Sequence, residues 1–423
     1  MLQSVWRAAV TAGALLDSAL RAQAQWELEV SRTLLTSRRR LLICALLPVA
    51  AGMAFLSVVW GAELPEVIGS QHAYMPGHVH GTMLLGALFT GLVGGLLTGA
   101  LGAGGGYITT PALMSLGIHG IMAVGTGQFE LFAKGIMGTT LHRRMGNVNV
   151  RLAAWFTAGS VVGVTIGGRL TRQVYAANPV LSDAFIGVVY VCMLGLLAIF
   201  SLADWYRQRG RPGNQEAGAS ELSSAARWLQ ALPLPPKVRF DEHLPGGGRE
   251  ISVWPVVACG LVVGLIAAIM GVGAGFLIFP IFVYGMGVST LTTVGTSVLQ
   301  VILTTCYSSI GQYAIYGFIL YSVAMGMLLG SLVGVQVGAI VTRMIPAPTI
   351  RALYAVTILA GLVNRAAALP AKLAHMGYLQ LAPTTGQVID HVGIAVFFGI
   401  VGVFAIWVLK AFFAGLSRLR QMP

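Results

Sequence analysis

The stretch Gly102-Ala103-Gly104-Gly105-Gly106-Tyr107-Ile108-Thr109-Thr110-Pro111 has a second version, Gly271-Val272-Gly273-Ala274-Gly275-Phe276-Leu277-Ile278-Phe279-Pro280. Three glycines, an aromatic residue and a proline match at one constant offset. Further on, Val124-Gly125-Thr126 matches Val294-Gly295-Thr296 after a one-residue slip. Agreement over this length marks an internal duplication. Both copies sit inside apolar stretches, 80–117 and 253–287, that are too long for one simple membrane span. Glycine runs interrupt a helix and free backbone N–H and C=O groups, which lipid cannot satisfy. Each stretch therefore reads as a broken helix or hairpin rather than a straight rod.

Working outward, the remaining apolar blocks run approximately 41–60, 118–141, 150–170, 181–203, 289–317, 318–343, 349–366 and 388–415. Of the 423 residues 56% are hydrophobic and 9% charged, with a mean hydropathy of +0.80. Soluble domains carry about 25% charged residues, so a soluble globule is excluded. The alternating strands of a membrane barrel are absent. The net charge of +12 would suit nucleic-acid binding, but the basic residues lie between apolar blocks, as loop charges of a membrane protein do. Cys44, Cys192, Cys259 and Cys306 all fall in apolar blocks without a CxxC, so neither a disulfide framework nor a zinc site is implied.

Domain organisation follows. Residues 1–40 form an amphipathic segment ending in Arg38-Arg39-Arg40, expected to lie on the cytoplasmic face. Residues 41–79 hold a first span and an external loop with His72 and His78. Residues 80–203 and 253–366 are the two repeats. Residues 204–252, with Arg207, Arg209, Arg211 and Leu232-Pro233-Leu234-Pro235-Pro236, read as a cytoplasmic linker with one short helix around Ala225–Leu232. Residues 367–423 supply a loop, a last span and a basic tail. Counting each long glycine stretch as a hairpin places Arg143, Arg144, Arg151, Arg207–Arg211, Arg343 and Arg351 inside and leaves Arg169, Arg172, Arg365 and Lys372 outside. Counting 80–117 as a single span reverses much of this, so the positive-inside rule favours hairpins. The fold expected is an all-α polytopic membrane protein of two inverted-topology repeats. Each is a glycine-broken hairpin plus three spans, with extra N- and C-terminal spans. The hairpin tips are expected to meet near the midplane.

Candidate site residues cluster at these breaks. Glycine admits a ligand to the backbone, and a helix restarting after a break aims N–H groups at it, an anion site that needs no lysine. This nominates Gly104, Gly105, Gly106 and Thr109 in the first copy and Gly273, Ala274 and Gly275 in the second. Gly91, Gly95 and Gly99 instead suit close helix packing. On the next helix Thr126, Glu130 and Lys134 share one face, flanked by Gln128. Intramembrane charges are functional candidates by default. Lys134 could attract an anion and Glu130 carry a coupling proton, or the two could form a structural ion pair. The matching positions in the second half are Thr296, Gln300 and Thr304, with Ser297 beside them. His72, His78 and His80 could bind metal, but no carboxylate or thiolate completes a ligand set, and no cofactor is expected. No Walker A, Ser/His/Asp or CxxCH pattern supports an enzyme.

The doubled glycine break with its aromatic and proline, Val-Gly-Thr in the next helix, and His142-Arg143-Arg144-Met145-Gly146-Asn147-Val148 resemble the TauE/SafE family of sulfite exporters and organosulfonate permeases. The resemblance covers about 80–203 and 253–366. It implies an inner-membrane secondary carrier, proton-coupled, for a small sulfur oxyanion or sulfonate. The alternatives are an anion channel and, from another class, a haem- or metal-binding membrane subunit of a redox enzyme that uses the histidines.

Overall fold

The computed structural model describes residues 81–101, 104–144, 149–208, 224–241, 248–273, 275–342 and 347–419, all within one compact unit, Glu63–Pro423. The amphipathic segment, the first span and His72, His78 and His80 lie outside the described residues. So do Gly102 and Ala274.

The first repeat comprises α1 (Gly81–Leu101), α2 (Gly106–Ser115), α3 (Gly120–Arg144), α4 (Val150–Ala177) and α5 (Pro179–Gln208). The linker forms α6 (Ser224–Ala231) and an antiparallel ribbon of β1 (Lys237–Phe240) and β2 (Arg249–Ser252). The second repeat comprises α7 (Val253–Met270), α8 (Gly275–Pro280) with a π-helical turn at Ile281–Met286, and α9 (Thr290–Tyr307) with a second at Ser308–Ala314. It continues with α10 (Tyr321–Thr342) and α11 (Ala347–His375), and α12 (Pro383–Leu419) follows outside the repeat. The chain is an all-α polytopic membrane protein. Six of these helices are long and apolar enough to cross a membrane, and side chains such as Leu85, Leu196, Ile199 and Val403 stand exposed on their outer faces.

Both glycine stretches fold back as hairpins. A Cβ at Gly105 would overlap the Gly94 carbonyl, and one at Gly86 would stand 2.7 Å from the Leu116 side chain, so α2 retraces α1 from tip to base. In the second copy the returning limb ends at Gly287, whose carbonyl accepts from Arg249 Nη1 at 2.7 Å, just before α7 begins. Pro111 and Pro280 lie in the two returning limbs at matched positions. Proline removes a helical N–H and crowds the preceding turn, and in the second copy the α-helix gives way to the π turn directly after it.

The halves are laced together crosswise. The first helix of each repeat packs most extensively on the fourth segment of the other: α1 on α10, and α7 on α4. Glycines make both contacts. A Cβ at Gly91 or Gly95 would overlap the carbonyl of Met327 or Ser331, and one at Gly159 or Gly163 that of Val257 or Leu261. Gly330, Gly334, Gly260 and Gly264 return the contact at the corresponding positions. Without a hydrophobic drive between helices in lipid, such backbone approach is what supplies dispersion contact. The packing role expected of Gly91 and Gly95 is thus met by direct contact.

Two expectations need correction. Arg365, expected at the outer end of the block 349–366, lies within α11 and is 3% exposed. The apolar count ended that span at residue 366, but the helix continues to His375. The linker also holds a β-ribbon that its proline and glycine content concealed. Its short helix lies at Ser224–Ala231, one residue from the stretch expected.

Candidate functional site

The tips of the two hairpins meet. A Cβ at Gly106 would stand 3.0 Å from Val272 Cα, and one at Gly271 3.0 Å from Thr110 Oγ1. The junction is lined by α3 between Val124 and Leu131. The Leu131 side chain touches both breaks: its methyl carbons lie 3.0 Å from a Cβ built at Gly106, 3.2 Å from one at Gly273 and 3.7 Å from one at Gly104. Gly104, Gly105 and Gly273 have φ of 81°, 58° and 64°, the left-handed region that admits glycine cheaply. Gly105 precedes α2, and Ile108 and Thr109 are the first residues to donate back to its carbonyl. The N–H groups of Gly106 and Tyr107 are therefore left without an intrahelical acceptor. Gly275 is the first residue of α8.

Carbonyls at the end of α7 accept hydrogen bonds from side chains of both halves. Gln128 Nε2 donates to Ala267 O at 2.7 Å, Tyr190 to Met270 O, and Tyr313, in the same half as α7, to Ala268 O. This is how a broken helix survives in a membrane. Gln128 thus holds the second break through its amide N–H, while its Oε1 has no partner among the described residues.

Thr126 and Thr296 are placed alike. Thr126 Oγ1 accepts from Leu320 N at 3.1 Å, just ahead of α10, and Thr296 Oγ1 accepts from Asn149 N at 3.1 Å, just ahead of α4. Each Val-Gly-Thr threonine therefore anchors the start of the fourth helical segment of the opposite half. Thr109 Oγ1 donates to Gly106 O at 3.2 Å, and Ser297 is half-buried on α9.

Glu130 and Lys134 form an ion pair, 2.5 Å apart, with side chains 0% and 6% exposed. Lys134 Nζ lies 3.9 Å and Thr109 Cγ2 2.7 Å from a Cβ built at Gly94, so the ammonium sits against the first hairpin beside its break. Ser331 of α10 lies by the carboxylate, but its one hydroxyl proton goes to Leu328 O at 3.0 Å. The equivalent place in the second half is neutral. Gln300 Nε2 donates to Thr304 Oγ1 at 2.7 Å and to Ser160 Oγ at 3.1 Å, and Gln300 Oε1 has no partner among the described residues. Ser160 and Ser331 escaped the sequence reading. A signal existed, since Gly159-Ser160-Val161-Val162-Gly163-Val164 matches Gly330-Ser331-Leu332-Val333-Gly334-Val335.

Arg365 was missed for another reason: one charge in an apolar helix carries no motif. Its guanidinium donates to Pro111 O at 3.2 Å, Ser115 Oγ at 3.0 Å and Asn364 Oδ1, holding α2 against α11. It holds the returning limb of the first hairpin in place without touching the junction.

The bases of the hairpins are closed by carboxylates. Asp241 accepts from Ser289 N and Oγ at 2.7 and 2.6 Å at the second base. At the first, Asp183 accepts from Gly120 N at 2.6 Å and pairs with Lys372 at 3.1 Å and His119 at 3.7 Å. The Asp183 carboxylate beside it raises the His119 pKa, while partial desolvation and the Lys372 charge oppose the rise. The folded state thus binds the His119 proton more tightly than the unfolded chain. That stabilisation is complete below about pH 6.5, the unperturbed value, and fades as pH rises through the folded pKa. The His119→Ala variant is expected to lower the melting temperature at pH 5.5 and to leave it nearly unchanged at pH 9. An equal loss at both pH values would mean that His119 acts through packing alone.

Long apolar helices, two repeats laced crosswise and glycine breaks meeting beside a buried ion pair define a multi-pass membrane transporter rather than an enzyme. The family model for the sulfite exporter TauE/SafE matches residues 87–365, and the chain belongs to that family. It is 26% identical over 281 residues to the probable membrane transporter protein YjnA of Bacillus subtilis (strain 168), which covers 66% of this chain and 99% of that protein. It is 24% identical over 274 residues to the probable membrane transporter protein YdhB of the same organism, covering 64% and 95%. No solved structure matches the chain.

Proposed function

We propose that this chain is a proton-coupled secondary carrier of a small sulfur oxyanion or sulfonate, bound where the two glycine breaks meet. The observation that carries the reading is the buried Glu130–Lys134 pair beside the first break, in a half whose counterpart manages with Gln300 and Thr304. Lys134 and the N–H groups at Gly106 and Tyr107 supply positive potential for the anion. Gly104, Gly273 and Gly275 admit it to the backbone, Thr109 and Ser297 offer hydroxyl groups, and Glu130 carries the proton. Leu131, wedged between the breaks, supports a carrier over an open channel.

The reading includes an inverted topology. Its support is that the hairpin bases lie at opposite ends of α4. Asn149, at the start of α4, donates from Nδ2 to Arg239 O of the ribbon beside the second base. The Tyr175 ring, near the end of α4, stacks edge-on at 6.0 Å with His119 of the first base. Asn149 and Tyr175 are 26 residues apart along the helix, about 39 Å of rise. The basic linker then faces the cytoplasm and the membrane is a bacterial-type inner membrane.

One set of proteoliposomes tests the reading. Sulfite, sulfate or a sulfonate is expected to raise the melting temperature, since ligands that bind the native state stabilise it, and an imposed pH gradient is expected to drive saturable uptake. Single cysteines at Gly117 and Lys237 are expected to be labelled from opposite sides. Absence of any sulfur-anion shift together with pH-independent flux would overturn the substrate and the coupling, and same-side labelling would overturn the topology.

A further inference from the structure

We propose that the linker module of α6, β1 and β2 is a docking surface for the headgroups of anionic phospholipids. This rests on the membrane embedding of the chain and is independent of the transported substrate. The module has two faces. The inner one is apolar and occupied: Ala226, Val238, Phe240 and Ile251 are buried, and the last three pack with Phe282 and Met286 at the base of the second hairpin. The outer one presents Trp228, 67% exposed, Trp254, 60% exposed, and Leu234, 47% exposed. Arg227 and Lys237 are exposed beside them. Arg239 is exposed as well and pairs with Glu250 at 2.5 Å.

What covers this face follows from where it stands. Ser252, the last residue of β2, is the N-cap of α7, so the ribbon runs without a spacer into a helix apolar enough to span the bilayer. Trp254 is the second residue of that helix, and its Nε1 donates to Pro235 O at 3.1 Å, which ties the proline turn to the span. The module is thus confined to the level where hydrocarbon meets headgroups. Tryptophan favours that level because its ring is apolar and its N–H polar. Lysine and arginine there gain from the negative potential of phosphatidylglycerol-type headgroups, by about fivefold in binding for each residue at low salt.

The contact reaches the transport fold. Gln230 Nε2 of α6 donates to Met286 O at 2.8 Å, Arg249 Nη1 of β2 to Gly287 O at 2.7 Å, and Asp241 after β1 accepts from Ser289. All three elements of the module hold the base of the second hairpin. Headgroups that fix the module therefore stiffen that base.

The full-length protein in neutral detergent is titrated with phosphatidylglycerol or with phosphatidylcholine, and the melting temperature is read at 0.05 M and 0.5 M NaCl. Phosphatidylglycerol is expected to stabilise at lower concentration than phosphatidylcholine, and the difference is expected to shrink at high salt. The Lys237→Gln variant is expected to need about fivefold more phosphatidylglycerol for the same shift while its response to phosphatidylcholine is unchanged. Trp228→Ser is expected to weaken the response to both lipids. Equal stabilisation by the two lipids in the native protein, or an unchanged phosphatidylglycerol response in the Lys237→Gln variant, overturns the proposal in favour of a purely structural linker or a protein partner.

Discussion

Gly105→Val is expected to abolish folded protein, whereas Gly104→Ala, one residue earlier, is expected to leave a folded protein that transports poorly. The two glycines differ in what a side chain would meet. A Cβ at Gly105 would overlap the carbonyl oxygen of Gly94, backbone that cannot move without opening the hairpin, and its φ of 58° adds strain. A left-handed non-glycine residue alone costs about 1–3 kcal/mol, and the overlap comes on top, against a total stability of about 5–15 kcal/mol. Gly104 has a φ of 81°, but a Cβ there meets only a Leu131 methyl group at 3.7 Å. Gly117 serves as the control, with a φ of 86° and nothing within 4 Å, well away from the junction. The Gly104→Ala and Gly117→Ala variants should therefore lose similar stability. If the junction is the site, only Gly104→Ala loses substrate-induced stabilisation and uptake. Equal activity of the two variants would remove the first break from the site and leave its glycines as hinge residues.

Removing either member of the buried ion pair is expected to be the most costly single charge change in the chain. Glu130→Gln strands the Lys134 ammonium, and Lys134→Met strands the Glu130 carboxylate, in a place 0–6% exposed. Breaking a buried pair typically costs about 3–5 kcal/mol, while replacing both members is often nearly neutral. The double variant should therefore recover most of the stability lost by each single one. The second half already shows that the scaffold holds with neutral groups, because Gln300 Nε2 donates to Thr304 and Ser160 there. Function separates from scaffold in the double variant. Recovered stability with absent anion binding assigns Lys134 to the substrate. Recovered binding with pH-independent transport assigns Glu130 to the proton. Recovery of stability, binding and pH-driven transport together would show a structural pair.

Much of this was legible in the chain. The duplicated glycine stretch, its proline and the arginine distribution led to hairpins, and Gly105 against Gly94 and Gly287 against Arg249 are the contacts that close them. The shared face of Glu130 and Lys134 needed only helical spacing. Other features were hidden because their partners are remote in sequence. Gln128 was nominated as a flank of the Thr126 face, and its amide is engaged by Ala267 O, on a helix whose proximity no local pattern announces. Thr126 and Thr296 carry a repeated motif, but only the fold shows each hydroxyl receiving the N–H ahead of a helix in the opposite half. Arg365 stands at the end of an apolar block with no local sign that it is buried; α2 supplies the carbonyl and hydroxyl acceptors that hold it inside.

The sequence by itself determined the membrane class, the duplication, the two helix breaks and the family resemblance. Each is a local or periodic property: hydropathy over a span's length, glycine's access to positive φ, and one motif at a fixed offset. Tertiary structure alone decided that α1 pairs with α10 and α4 with α7, so that each half completes the other. It also decided that Leu131 fills the meeting of the breaks and that the linker braces the second hairpin. The physical reason is that helix pairing in lipid depends on which small-residue stripes come within backbone contact. Every repeat carries such stripes, on α1 and α4 as on α7 and α10, so local pattern permits several pairings and only packing of the whole chain selects one.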